Sequence, residues 1–263
     1  VSAPVAVRGG VTALGDRALR VLDGFGGFGL LAVAALRAAT RRRFPLREVL
    51  LQFESTVVRS TSVVTLTALF TGMVLALQTV VSLTRFGAKP YTGAFVSLAQ
   101  VLELGPVLTA VMVSGRVGAG ITAEIGSMAV TEQVDAIRAL GADPVQKLVL
   151  PRVLALTLGV PLLTVVADFM GVFGGLLIST QYGISSSFYY QTVVNTVTLD
   201  NFVQGIAKTF FFGWTISMVG CYMGLSTEGG TVGVGRATTQ AVVVASISVF
   251  ILDFFLSQIM ILL

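Results

Sequence analysis

Five stretches of this chain each run for about 20 or more mostly apolar residues, and no other feature restricts the fold as much. They cover residues 60–83, 95–114, 148–180, 203–225 and 237–262. Inside a bilayer the backbone finds no water, so every N–H and C=O must be satisfied within the segment. Helices of this length meet that condition at 1.5 Å per residue. The expected fold is therefore an all-α integral membrane protein of about five transmembrane helices. Only 11% of the residues are charged, against about 25% in soluble domains, too few to cover a water-facing surface. The third stretch is over-long, and Pro161 inside it predicts a tilt or kink.

The basic residues set an orientation. Arg37, Arg41, Arg42, Arg43, Arg47 and Arg59 precede the first span. Arg116, Arg138, Lys147 and Arg152 lie between the second and third, and Arg236 between the fourth and fifth. These three regions alternate correctly to share the cytoplasmic side. The other side receives Arg85 and Lys89, and a loop over residues 181–201 with no Lys or Arg. The N-terminus is thus expected inside and the C-terminus outside. The net charge of +4 is a topology signal and not a nucleic-acid footprint. An odd number of spans without an internal repeat argues against an inverted-repeat transporter. Near the N-terminus the apolar run 30–36 is short, with Asp23 beside it and Arg37 directly after. It reads as an interfacial amphipathic helix better than as a signal peptide.

With no histidine, Ser-His-Asp and Cys-His arrangements, HExxH zinc sites and His proton shuttles are all excluded. The single Cys221 has no disulfide or metal-site partner of its own kind and reads as a small buried apolar residue. No catalytic or metal-ligating constellation stands out.

Residues 114–144, SGRVGAGITAEIGSMAVTEQVDAIRALGADP, interrupt this apolar pattern with Glu124, Glu132, Asp135, Arg138 and Asp143. The charge alternation places the stretch in the cytoplasm. Val130, Val134, Ile137 and Leu140 recur at helical spacing, Gly141 is placed to end a helix in the left-handed conformation, and Asp143-Pro144 reads as an N-cap and first helical residue. A short amphipathic helix results, whose acidic side chains suit a protein groove better than anionic lipid. The glycines Gly115, Gly118 and Gly120 do not form G-x-x-x-x-G-K-[ST], so the chain carries no nucleotide site of that type. They are expected to permit a bend or close helix contact.

The segment LELGPVLTAVMVSGRVGAGITAEIGSMAVTEQVDAIRALGADPVQKLVLPRVLA, with GRATTQAVVVASISVFILDF near the C-terminus, resembles the MlaE/YrbE permeases. These are membrane subunits of MCE-type ABC lipid transporters. The resemblance covers the chain after about residue 45 and the first 40 residues more loosely, which divides it into an N-terminal interfacial segment, 1–45, and a permease domain, 46–263. It implies a non-catalytic permease of the bacterial inner membrane that moves phospholipid. It implies pairing with a second copy, with an ABC ATPase that alone binds ATP and Mg, and with a periplasmic MCE-domain protein. No cofactor is expected in this chain. The amphipathic helix becomes a coupling helix, with Glu124, Thr131, Glu132, Val134, Asp135, Ile137 and Arg138 as ATPase contacts.

Ionisable residues within spans are expensive and default to functional candidates. Glu103, Lys208 and Asp253 fall at matching depth in the outer half of spans two, four and five, so the lysine is expected to pair with a carboxylate. The resemblance associates these positions with the lipid-facing pocket. Relatives commonly carry Arg before this glutamate, where this chain has Leu102. Leu75 and Leu77 in span one are candidate acyl-chain contacts. The contrasting expectation is an ion-coupled secondary transporter with Glu103, Asp168, Lys208 and Asp253 as a relay. The cluster's other reading is a structural ion-pair group that holds the spans together. Gly171/Gly175 and Gly220/Gly224 are GxxxG pairs suited to packing within the subunit or to a dimer seam, and residues 227–235 read as a flexible connection.

Overall fold

The structure is a computed structural model that describes residues 24, 26–40 and 46–262. The readings placed on Asp23, Arg41, Arg42 and Arg43 lie outside the described residues. Among the described residues every regular element is helical. Helix α1 (Gly26–Ala39) is apolar but reaches only about 20 Å, too short to span. The run Leu46–Thr84 joins α2 (Leu46–Thr56) to α3 (Thr61–Thr84) through a tight turn. The run Lys89–Val130 contains α4 (Thr92–Ala99), α5 (Gly105–Val113) and α6 (Ala119–Val130). Then follow α7 (Gln133–Ala139), α8 (Leu150–Gln181), α9 (Ser186–Thr196), α10 (Leu199–Leu225) and α11 (Gly230–Leu262).

Four helical runs among the described residues are long and apolar enough to cross a membrane: Leu46–Thr84, Lys89–Val130, Val145–Gln181 and Gly230–Met260. The protein is an all-α, multi-pass membrane protein. The expected fourth span, α10, is long enough at about 40 Å, but it is less apolar than the other four. Its position explains this. It packs against α8, α11 and α6, so its buried face carries Gly205, Lys208, Thr209, Gly213, Ser217 and Gly220 rather than lipid-soluble side chains.

Helix–helix contact in lipid gains little from apolar burial, so close approach of backbones carries the packing. α3 and α8 meet at Gly72 and Gly171, where a Cβ on Gly72 would lie 1.9 Å from the Gly171 carbonyl oxygen. α10 meets α8 at Gly213, whose Cβ would fall 2.3 Å from the Leu156 carbonyl. Both GxxxG pairs are spent inside the subunit. Gly171 abuts Gln100 and Gly175 abuts Tyr189, while Gly220 and Gly224 abut Ile121 and Ile125. Helix α1 docks on the bundle through Phe28, edge-on to Trp214 at 6.3 Å and to Tyr222 at 5.9 Å.

Three expectations change. Residues 114–130 do not form a separate polar segment. They continue the second helical run through a π-helical turn at Ser114–Gly118, and α6 packs on α10 and α11. Its inner face is Ser114, Gly118, Ile121, Thr122 and Ile125, small or apolar at helical spacing. Of the three glycines, Gly118 meets Ile216, whereas Gly115 and Gly120 face open space. The loop 181–201 contains α9, capped by Ser185, whose hydroxyl accepts from the Phe188 N–H, and anchored by buried Tyr189. The connection at 227–235 is shorter than expected, because α11 begins at Gly230, with Gly229 and Gly230 both at positive φ.

Candidate functional site

Glu103, Lys208 and Asp253 meet as their depths suggested. Lys208 on α10 is 2% exposed. Its Nζ donates to Glu103 Oε1 at 2.9 Å, to Asp253 Oδ1 at 3.2 Å, to Ser257 Oγ at 2.7 Å and to the Leu102 carbonyl at 3.0 Å. A buried ammonium stripped of water has three N–H donors to satisfy, and the four acceptors more than cover them.

The Leu102 carbonyl is available for a covalent reason. Pro106 has no N–H, so it cannot make the i→i−4 bond to residue 102. The same stretch, Gln100–Leu104, is a π-helical turn, a form that recurs at functional sites. Leu102 therefore contributes its backbone carbonyl to the cluster. Ser257 lies one turn beyond Asp253 on α11 and also donates to Glu103 Oε1 at 3.2 Å. The i,i+4 spacing from Asp253 was the signal for it.

The cluster is open on one side. The Glu103 side chain is 48% exposed and that of Asp253 16%. One ammonium against two carboxylates leaves a formal charge of −1 when both are ionised. Beside it, a groove of about 370 Å³ is lined by Phe70, Thr71, Val74, Leu75, Gln78 and Leu104. Leu75 thus belongs to a groove next to the cluster. Leu77 is exposed and does not line it. Asp168 stands apart. It is buried on α8, and neither carboxylate oxygen has a hydrogen-bond partner among the described residues. It lies against Gly105, where a Cβ would come within 1.7 Å of its Oδ1.

The expected coupling residues divide into three groups. Glu124 is not on α7; it sits on α6 and binds the buried Arg152 at 2.7 Å. Arg152, which sequence reasoning placed only as a loop charge, also donates to the Leu148 carbonyl at 2.6 Å. Thr131 and Glu132 form the exposed link from α6 to α7, with Thr131 Oγ1 donating to the Ser127 carbonyl and Glu132 left-handed at φ 59°. On α7, Asp135 and Arg138 pair at 2.9 Å in the open. Val134 does not present itself for docking. It is 5% exposed, packed into its own chain, and Ile137 is half-buried. Leu140, by contrast, is 86% exposed. The apolar face read from periodicity is therefore split, with Val134 and Ile137 seating α7 and Leu140 pointing away. Gly141 ends the helix at φ 74°, and Asp143 Oδ1 accepts from the Val145 N–H as an N-cap does.

These features meet a consistent set of relatives. The family model described as Permease MlaE matches residues 49–259. A probable ABC transporter permease protein of Rickettsia felis is 38% identical over 253 residues, covering 93% of this chain and 95% of its own length. A probable ABC transporter permease protein of Synechocystis sp. is 43% identical over 202 residues, covering 76% and 77%. The intermembrane phospholipid transport system permease protein MlaE of Haemophilus influenzae is 33% identical over 254 residues, covering 95% and 97%. With four-fifths of its length matched by one family model and full-length relatives at this identity, the chain belongs to the MlaE permease family.

Proposed function

We propose that this chain is the membrane-spanning permease of an ATP-driven ABC transporter that moves phospholipid. The observation that carries the reading is the family match along residues 49–259, together with relatives named as ABC permeases and one named for intermembrane phospholipid transport. ATP and Mg belong to a separate ATPase. The chain sits in the inner membrane with α7 in the cytoplasm, and it hands lipid to, or takes it from, an MCE-domain protein on the other side.

Two features of the geometry support this division of labour. α7 projects an exposed Asp135–Arg138 pair and the bare Leu140 at one end of the bundle. An apolar anchor ringed by charge suits docking to a protein in water. Toward the other end, the Lys208 cluster leaves Glu103 half open beside an apolar groove. A charged headgroup can meet the carboxylate while an acyl chain lies along Leu75 and Val74. Two copies facing each other across this opening would enclose the lipid.

The ion-coupled alternative needs a continuous relay of titratable groups. Asp168 makes no hydrogen bond to Glu103, Lys208 or Asp253 among the described residues, so the geometry gives that reading no direct link between it and the cluster. Purification in mild detergent with mass spectrometry of co-purifying proteins tests the proposal. A stoichiometric ATPase is the expected result. A homo-oligomer that moves lipid on an ion gradient without ATP would overturn it.

A further inference from the structure

At the α7 end a cavity of about 450 Å³ opens between α2 and the α5–α6 run, far from the Lys208 cluster. Gln52, Ser55 and Thr56 line it from α2, with Arg116, Gly120 and Glu124 opposite.

Its lining carries one cation, Arg116, and one carboxylate, Glu124. The Arg116 Nη1 donates to the backbone carbonyl of Arg59, which pins one corner of the guanidinium at the wall. Nothing among the described residues takes its other edge, and neither Arg116 nor Arg59 pairs with an acid there. The one carboxylate in the wall, Glu124, is already neutralised by Arg152 at 2.7 Å. The floor is bare because Gly120 has no side chain and nothing lies within 4 Å of where its Cβ would be. Leu50 and Leu51, exposed on α2, supply apolar surface beside it.

A pinned guanidinium with a free planar edge is built for bidentate contact with phosphate. Basic pockets between helices at the cytoplasmic membrane face bind lipid headgroups. We propose that this cavity is a phosphate site that takes the headgroup of a phospholipid in the leaflet on the α7 side. It is a second lipid site, separate from the Lys208 cluster, and only its assignment to the cytoplasmic leaflet rests on the orientation in the proposed function.

The test uses the full chain, stripped of lipid in a phosphate-free detergent and supplied with phosphatidylglycerol alone. Native mass spectrometry counts the lipids each chain retains. Arg116→Gln and Gly120→Leu should each weaken retention of one phosphatidylglycerol by about tenfold, while Lys208→Ala leaves that lipid in place. Gly120→Leu keeps every polar contact and fills open space, so it tests the site even if Arg116→Gln fails to fold. Unchanged retention in either folded variant overturns the proposal. Titration of the lipid-free chain with inorganic phosphate separates the two sources of the group. Phosphate binding that depends on Arg116, with lipid retention unaffected, would reassign the site to free phosphate and overturn the headgroup assignment. Loss of transport in Lys208→Ala bears on the outer cluster and does not move this lipid.

Discussion

Lys208 holds two carboxyls, a hydroxyl and a carbonyl together in the span region, and the variants at this cluster should not be equivalent. Lys208→Ala strands Asp253 in a largely buried place, and breaking a buried pair from one side typically costs about 3 kcal/mol or more. Glu103 is half exposed, so Glu103→Gln should cost under about 1 kcal/mol. Thermal denaturation of the detergent-solubilised protein measures both, and equal losses would contradict the cluster's geometry. Asp168 and Gly105 make a second residue-scale pair. A methyl on Gly105 would fall within 1.7 Å of Asp168 Oδ1, and overpacking of this kind costs about 1–3 kcal/mol. Gly105→Ala alone should destabilise, and Gly105→Ala with Asp168→Ala should recover part of the loss, since the Gln100 carbonyl also lies 2.9 Å from that methyl. Additive losses in that double-mutant cycle would show that the two side chains do not meet.

Helix α7 separates docking from folding. Val134→Asp buries a charge in the chain's own packing and should lower stability, whereas Leu140→Asp or Arg138→Glu alters only the exposed side. The latter variants should purify normally and lose most ATPase in pull-down. Retained ATPase in both would move the docking surface off α7. The limits of sequence reading appear at this scale. The long spans were legible because lipid demands unbroken apolar runs, and the cap at Asp143 and the stop at Gly141 because few residue types do those jobs. The helical character of residues 114–130 was hidden, because its buried face uses Ser114, Gly118 and Thr122, which hydropathy reads as polar. Helix α9 was missed because its hold on the bundle is the single buried Tyr189, whose hydroxyl donates to the Val172 carbonyl at 3.2 Å. The meeting of Glu103, Lys208 and Asp253 followed from counting depth along spans. The Leu102 carbonyl did not, since a backbone acceptor freed by Pro106 leaves no side-chain signature. Nor did the Glu124–Arg152 pair, which joins helices that only the fold brings together.

Across the whole molecule, the polar features fall at opposite ends of an apolar bundle. α7 and the Arg116 cavity share one end, and the Lys208 cluster lies toward the other. α8 and α10 pack on each other by backbone contact at Gly213, which joins the two halves of the bundle. Gly213→Val should therefore weaken both stability and transport, because its side chain would strike the Leu156 backbone. Normal transport by that variant would argue against a rigid connection. The most direct measurement is transfer of a fluorescent phospholipid by the chain reconstituted in liposomes with its co-purifying ATPase. The expected result is transfer that requires hydrolysable ATP and is lost in both Lys208→Ala and Leu140→Asp. Transfer that proceeds without ATP on a proton or sodium gradient would contradict the account.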